Sequence, residues 1–533
     1  MRPAPSSPLP RPRPSALRRT ITACAALAAL LPTSRLAAQV VAERVDLGAL
    51  AKLREEATQR SQVMEIAGYL TDVIGPRPQG SRAVKQANRW VAEQLRGFGL
   101  SNVTVEPWGT WGRGWERVRY VGNILTPYPQ PLVAQPMAWS GSTPGLVRAP
   151  VVALPPSDSA TLVKHHGGTL KGKVVLWGPP PLDQSTYYYE PLDYMRMEDP
   201  PRARRLSQAQ LDDPTLRPEF LWSPEPVRLE RRKVPERYED VMRVFKQEGV
   251  AAVILPSPIP YGTIRVSAIP GWHAIRTAKS GEPVAALVAS FEQYGQLWRN
   301  VRRGIPVEVE LQAQNRFVTD DSLGYNTLAE LPGTDKADEY VMFGGHLDSW
   351  HAGTGATDNA AGVAVAMEAM RILKATGLRP RRTIRLGVWT SEEGRHLGVG
   401  GWIAKHPELW PKISVYLNLD NGAGRIRGIW DQSHPTMRPI FEQVFAPLKE
   451  LGVVKVAKGN VGGNEHQDFD DRGIPGFTFL QDPLEYLIRT HHSSADTFER
   501  LIPDDLRQAA TVMAWTAYTL ANRDEPFPRK PAK

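Results

Sequence analysis

A single cysteine, Cys24, stands among the 533 residues, and it falls inside a segment that the sequence marks for removal. The mature chain then holds no thiol, which excludes disulfides, thiolate metal ligands and a cysteine nucleophile. Net charge is also scarce. The total is +9, but residues 1–39 contribute six arginines (Arg2, Arg11, Arg13, Arg18, Arg19, Arg35) and no acid; taking those six from nine leaves +3 for the rest. A balance so close to neutral removes most of the case for a nucleic-acid partner. The apolar run at 21–31 covers eleven residues where a membrane span needs about twenty, so no stable membrane anchor is expected. Phosphate-binding loops, a Gly-x-Ser-x-Gly nucleophile elbow and internal repeats are missing too.

What is present near the N-terminus is an export pattern. Arg18-Arg19 leads into the apolar run, and Leu36-Ala37-Ala38-Gln39 supplies small residues for cleavage. Residues 1–39 read as a secretory signal peptide, which places the mature protein in the periplasm or outside the cell. With 41% hydrophobic and 23% charged residues, the body reads as a globular protein of two or three domains.

Three textures follow. Residues 40–145 open with a helical pattern over 50–74, the turn-rich 75–81, an amphipathic helix over 83–98 and a strand at 103–105. Residues 146–315 turn to short β-like runs at 151–154, 174–177, 250–255, 285–288 and 307–311, separated by Pro/Gly turns, as in a small β-rich domain. Within it, 179–236 is rich in proline, arginine and tyrosine and has no clear period. From 316 to 533 strands and helices alternate: strand 340–343, helix 359–376, strand 383–389, strand 415–419. That order implies a mixed, mostly parallel sheet with helices on both faces, interrupted by the β-rich insertion.

The chemistry gathers where strands end, which is where open α/β sheets build their sites. Strand 340–343 runs into Gly344-Gly345-His346-Leu347-Asp348-Ser349-Trp350, where two glycines would let the chain turn and project His346. Asp358-Asn359-Ala360-Ala361-Gly362 follows at a helix start, favourable for a carboxylate. A lone histidine or an N-terminal Asp is usually structural. The next strand changes the odds by delivering adjacent acids, Glu392-Glu393, whose side chains point in different directions; one can bind a metal while the other holds an attacking water. Strand 415–419 ends in Asp420, and His491-His492 adds imidazoles near the C-terminus. Oxygen and imidazole donors without thiolate suit zinc, with cobalt or manganese as substitutes.

Taken together, Gly344 to Ser349, Asp358 to Gly362, Glu392-Glu393, Asn418-Leu419-Asp420 and His492 through Asp496-Thr497 resemble the M28 family of zinc exopeptidases. The resemblance implies a three-layer α/β peptidase domain, of the phosphorylase/hydrolase-like kind, interrupted by a protease-associated (PA) domain. It further implies two zinc ions, one held by His346 and Asp420, the other by Glu393 and His492, with Asp358 bridging. Glu392 would be the general base. Asp348 and Asp496 would orient His346 and His492 through their other ring nitrogens. Either His491 or His492 could face the metals; the Ser-Ser-Ala-Asp-Thr that follows favours His492. Where relatives show a Ser/Thr-Asp pair lining the substrate pocket, this chain has Asn464-Glu465-His466, and Asn421 and Tyr486 are further pocket candidates. His351, His396, His406 and His434 read as surface. The implied substrate is a dipeptide or short peptide, cleaved as a carboxypeptidase or an aminopeptidase, and the implied assembly a homodimer. A non-catalytic receptor-like scaffold and a single-zinc cyclase relative are the alternatives, disfavoured because every implied ligand and the base are present.

Overall fold

A computed structural model describes residues 42–180, 205–216, 238–279 and 281–530. The signal-peptide reading of 1–39 and most of the 179–236 segment lie outside the described residues. β1 (Ser101–Thr110) opens a first sheet. The chain then lays down the whole of a second sheet: β2 (Gly114–Thr126), β3 (Gln130–Pro131), β4 (Ala134–Pro136), β5 (Val147–Leu154), β6 (Val174–Trp177), β7 (Ala252–Pro256), β8 (Ala286–Ala289) and β9 (Glu308–Val318). It returns to the first with β10 (Leu323–Leu331), β11 (Lys336–His346), β12 (Arg382–Trp389), β13 (Ile413–Asn418), β14 (Ile426–Trp430), β15 (Lys455–Ala457) and β16 (Gly476–Gln481).

The first sheet runs β1-β10-β12-β11-β13-β16-β14-β15. Its centre, β12-β11-β13-β16, is parallel, and the flanking pairs β1·β10, β10·β12 and β14·β16 are antiparallel. Parallel central strands must be covered on both faces, and side-chain alternation sorts them. Val341 and Phe343 join a core with the helices Leu47–Gln59, Arg82–Gly97, Ala361–Ala375 and Pro503–Ala521. Met342 faces the other way, with Trp389, Trp402, Tyr416 and Phe469. Helix, sheet and helix make three layers. Arg371 is buried in the first face between Glu56 and Glu368, 2.7 Å from each.

Register decides where the strand ends meet. His346 lies opposite Trp389 of β12, and Gly344 opposite both Gly387 of β12 and Asn418 of β13. The two glycines do not turn the chain, as the sequence suggested; β11 continues straight through them to His346. Gly344 is needed for proximity, since a Cβ there would stand 1.8 Å from the Gly387 carbonyl oxygen.

The second sheet, ordered β3-β2-β9-β5-β6-β7-β8-β4, differs from the expected β-rich insertion in two ways. It begins at β2, well before 146, because that long strand pairs along β9 rather than with the first sheet. It is also an α/β layer: β5, β6, β7 and β8 are parallel, and parallel neighbours need crossovers. Helices Ser159–His166, Tyr238–Gln247 and Phe291–Arg302 supply cover. Three of these strands, β6, β7 and β8, are short and wholly apolar, so period-two alternation gave no hint of helices between them. Residues 205–216, inside the segment read as irregular, dock on the first sheet's side. Leu206, Leu211 and Leu216 pack with Trp430, Ala457, Val461 and Leu480, and Arg205 bridges Asp482 and Asp505 at 3.2 and 2.8 Å.

A Gly344→Ala variant is expected to lose stability by about 1–3 kcal/mol or more, because backbone rather than a flexible side chain opposes the new methyl. The midpoint of chemical denaturation checks it; an unchanged midpoint would mean that β11 and β12 can separate without cost.

Candidate metal centre

Five chain segments converge beyond the C-terminal ends of β11, β12 and β13. β11 ends on His346, fully buried. Its Nδ1–H donates to the Asp348 backbone carbonyl at 3.0 Å, which turns Nε2 toward Asp420 Oδ1 at 3.2 Å and Asp358 Oδ1 at 3.3 Å. The other oxygen of Asp358 lies 3.2 Å from His492 Nε2. His492 Nε2 is in turn 3.1 Å from Glu393 Oε2. Asp358 thus stands between two imidazole–carboxylate pairs, one oxygen toward each. His491 stacks on His492 with ring centroids 3.6 Å apart, and its Nε2 is 3.9 Å from Asp358 Oδ2.

Local sequence explains the placements. Ser391 takes a left-handed backbone conformation (φ 65°), turning the chain as it leaves β12, so Glu392 and Glu393 diverge. The Glu392 N–H donates to Asp348 Oδ1 at 3.3 Å, and its carboxylate lies 3.2 Å from His396 Nε2. Asn359 ties the helix start to the end of β13, its Nδ2 donating to the Leu419 carbonyl at 2.9 Å. Asn464 Nδ2 does the same for the Asp420 carbonyl at 2.6 Å.

The electrostatics favour added positive charge. Burial, opposed by His346, leaves Asp420 well above the ordinary carboxylate range. Burial also lifts Glu393 to about 8, although His492 pulls the other way. Both imidazoles are raised despite their own burial: His346 by Asp420 and Glu392, His492 to about 10 by Glu393 and Asp358. Glu393 Oε1 and Asp348 Oδ2 are buried without a hydrogen-bond donor. Buried carboxylates in excess of their donors call for cations, and imidazole plus carboxylate is a zinc-type donor set. Two overlapping groups have metal-ligand spacing, His346/Asp358/Asp420 and Asp358/His491/His492. The residues present therefore fit a metal, and the second group leaves both histidines in play.

Several expected roles change. Asp496 does not orient His492 by a hydrogen bond; its Oδ1 accepts from the Thr357 N–H at 2.6 Å and hydroxyl at 2.8 Å, so it shapes the loop leading to Asp358. For His346 the orienting acceptor is the Asp348 carbonyl, with the Asp348 carboxylate farther away at 3.7 Å. His466 is buried and turned to the Val461 carbonyl at 3.0 Å, its pKa pushed down to about 3 by burial. Asn421 is occupied by Gln481 and Thr478, and Tyr486 packs edge-on against His491. Glu465 is fully buried with neither oxygen hydrogen-bonded; burial first, then the charge of Glu392, raises it to about 7 against the pull of His346. Of the histidines read as surface, His351 and His434 are buried, and His396 pairs with Glu392 and Asp468.

Sequence reasoning passed over Arg77. It is fully buried and donates to the carbonyls of Leu70, Gly75, Leu347, Thr354 and Gly355 at 2.7–2.9 Å, pinning the 347–355 segment that leads to Asp358 against residues 70–75. Only its setting between Pro76 and Pro78, a rigid turn, hinted at a fixed arginine.

Residues 326–517 match Peptidase family M28. The chain therefore carries a peptidase domain of that family, and the enzyme class expected from the sequence, a metallo-exopeptidase, stands on it. Among curated proteins it is similar to carboxypeptidase Q of Mus musculus, 26% identical over 467 residues that make up 87% of each chain. Carboxypeptidase Q of Homo sapiens is 25% identical over 87% of this chain and 86% of that one. The fold is shared with a peptidase M28 precursor from Shewanella amazonensis SB2B, at TM-score 0.64 and 24% identity over 91% of this chain and 99% of that one. It is also shared with a zinc aminopeptidase from Bacillus subtilis, at TM-score 0.53 and 18% identity over 86% of this chain and 94% of that one.

His396 yields a pH prediction. Burial works against its charge, but hydrogen bonds to Asp468 and Glu392 outweigh it and lift the pKa to about 11. A raised folded-state pKa stabilises fully below the unfolded value and fades as pH climbs through the folded one. His396→Gln should therefore lose more stability against wild type at about pH 6 than at about pH 9, read from denaturation midpoints.

Proposed function

We propose that the protein is a di-zinc exopeptidase that hydrolyses dipeptides or short peptides, carboxypeptidase Q-like, with Glu392 as general base. The observation that carries this reading is Asp358, which turns one oxygen to the His346 imidazole that Asp420 also meets and the other to the His492 imidazole that Glu393 also meets. His346 and Asp420 would hold one cation, Glu393 and His492 the second, and Asp358 both. When bound, zinc at such a site supplies Lewis acidity toward a carbonyl and lowers the pKa of water toward neutral.

The remaining work falls to the chain itself. Glu392, next to Glu393 but diverging from it, takes the proton of the attacking water and returns it to the departing amine. Its backbone is held by Asp348, and its carboxylate by His396. Trp350, edge-on to His492 with centroids 6.0 Å apart, walls one side against solvent. The carboxypeptidase reading is supported by curated relatives matched along most of the chain; the aminopeptidase reading is the alternative. The export pattern at 1–39 supports a periplasmic or extracellular location. Among the described residues no helix is long and apolar enough to cross a membrane.

Metal analysis of purified protein should return two zinc ions per chain, and chelation should abolish peptide hydrolysis. Glu392→Gln should cut turnover by about 10²- to 10⁴-fold while leaving the metal content intact; full activity would sink the base assignment. Dipeptides blocked at one end settle the polarity. A carboxypeptidase cleaves those with a blocked N-terminus, and an aminopeptidase rejects them.

A further inference from the structure

His492 is the one residue among the implied ligands whose backbone is left-handed, with φ at 58°. Such a conformation in a non-glycine residue persists only where the surroundings over-determine it. The loop's own segment supplies part of that hold: the His491 N–H donates to the Tyr486 carbonyl at 2.8 Å and the Ser493 N–H to the Thr490 carbonyl at 3.0 Å. The carbonyls on either side of the strained residue, however, are held from the second-sheet layer. Arg265 Nε donates to the His491 carbonyl at 3.0 Å, and its terminal nitrogen to the Leu487 carbonyl at 2.6 Å. The Val266 N–H donates to the His492 carbonyl at 3.1 Å. Ile264 and Ser494 close the pairing, with the Ser494 N–H on the Ile264 carbonyl at 2.8 Å and the Ile264 N–H on Ser494 Oγ at 3.0 Å.

Residues 263–268 are themselves fixed. Ile264 and Val266 are buried in the core under the second sheet. Ser257 Oγ donates to the Thr263 carbonyl at 2.8 Å and accepts from the Arg265 N–H at 3.2 Å. The Ala138 N–H donates to the Ser267 carbonyl at 3.0 Å. An aromatic path follows the same course. Trp139 and Trp272, outside the first sheet, lie 6.4 and 6.2 Å from Trp350, which meets the His492 ring edge-on.

We propose that the second-sheet layer is a working part of the metal centre, and that Arg265 is a positioning residue which clamps the His491–His492 turn so that His492 Nε2 stays turned to Glu393 and Asp358. The inference rests on the two-metal reading above. It assigns the inserted layer a role in holding one metal, the one shared by Glu393 and His492, and none in holding the metal at His346 and Asp420.

The test uses the zinc-loaded full chain and follows zinc release against chelator concentration, together with the visible spectrum of the cobalt(II)-substituted protein. Arg265→Ala should surrender one of two zincs at about 10-fold lower chelator, in the range seen when groups supporting a metal ligand are removed. The cobalt band of that site should shift. Arg265→Lys should restore part of the retention, because an ammonium can reach one of the two carbonyls. Arg113→Ala is the control, since that guanidinium bonds to the Ile275 and Gly281 carbonyls and lies over the Phe317 ring, all within the second-sheet layer, and it should release zinc as the wild type does. If Arg265→Ala fails to fold, Ser494→Ala decides instead, by easing loss of the same single zinc. A zinc-loaded wild type whose retention and cobalt spectrum are matched by Arg265→Ala, or by Ser494→Ala where that variant decides, overturns the clamp alone. A wild type that takes up no zinc overturns the two-metal reading and the clamp together.

Discussion

Three parallel strands that finish level with one another are the constraint on which the rest of the molecule depends. β11 can sit between β12 and β13 in that register only because glycine faces glycine at 344 and 387, where the Cβ of an alanine at 344 would lie 1.8 Å from a carbonyl oxygen. Level strand ends put His346, the Glu392–Glu393 pair and Asp420 at one height, with Asp358 entering from the following helix. Once several carboxylates and two imidazoles share a buried pocket, the surroundings must be rigid, because flexible neighbours would let the like charges move apart. The five carbonyls gathered by Arg77 and the Asn359 and Asn464 ties to the end of β13 provide that rigidity.

The ligand candidates were legible because metal chemistry demands particular side chains, and because strand ends can be located from apolar runs bounded by glycine or acid. The helix over 359–376 and the strands at 383–389 and 415–419 were legible for the same reason: each is a long or strongly apolar segment whose burial is written into composition. What surrounds the site was not. Asp496 bonds Thr357 rather than a histidine ring, and that choice depends on how two loops distant in sequence are folded. Arg77 looked like a residue in a turn because its partners are backbone carbonyls, which any sequence presents. His351 and His434 carry no local mark of burial. The second sheet was misread in character because its parallel strands are only four to eight residues long, too short to distinguish from antiparallel ones.

The match to peptidase family M28 covers residues 326–517, which hold all of the implied ligands and the implied base. The structure carries the site's framework beyond those bounds, into the chain that precedes residue 326. Arg77 precedes the matched region and pins its loops; Arg265 lies within the second-sheet layer and meets the loop that bears His492. A domain boundary drawn on sequence similarity therefore cuts across a single hydrogen-bonded unit, in keeping with the grouping of residues 42–533 as one compact body.

The path of the chain has a consequence for synthesis. β1 pairs with β10, and all eight strands of the second sheet lie between them in sequence. A ribosome that adds about 5–20 residues per second must therefore complete the second sheet before β1 can find its neighbour. Until then both edges of β1 are open, of the kind that invites pairing with another chain; pairing with β10 covers one of them. The second sheet, contiguous in sequence from 114 to 318, can close on itself during that interval and hold the two ends of the interruption near each other. The long-range step that remains is then the joining of an already narrowed gap, which lowers the loop-closure cost of the first sheet.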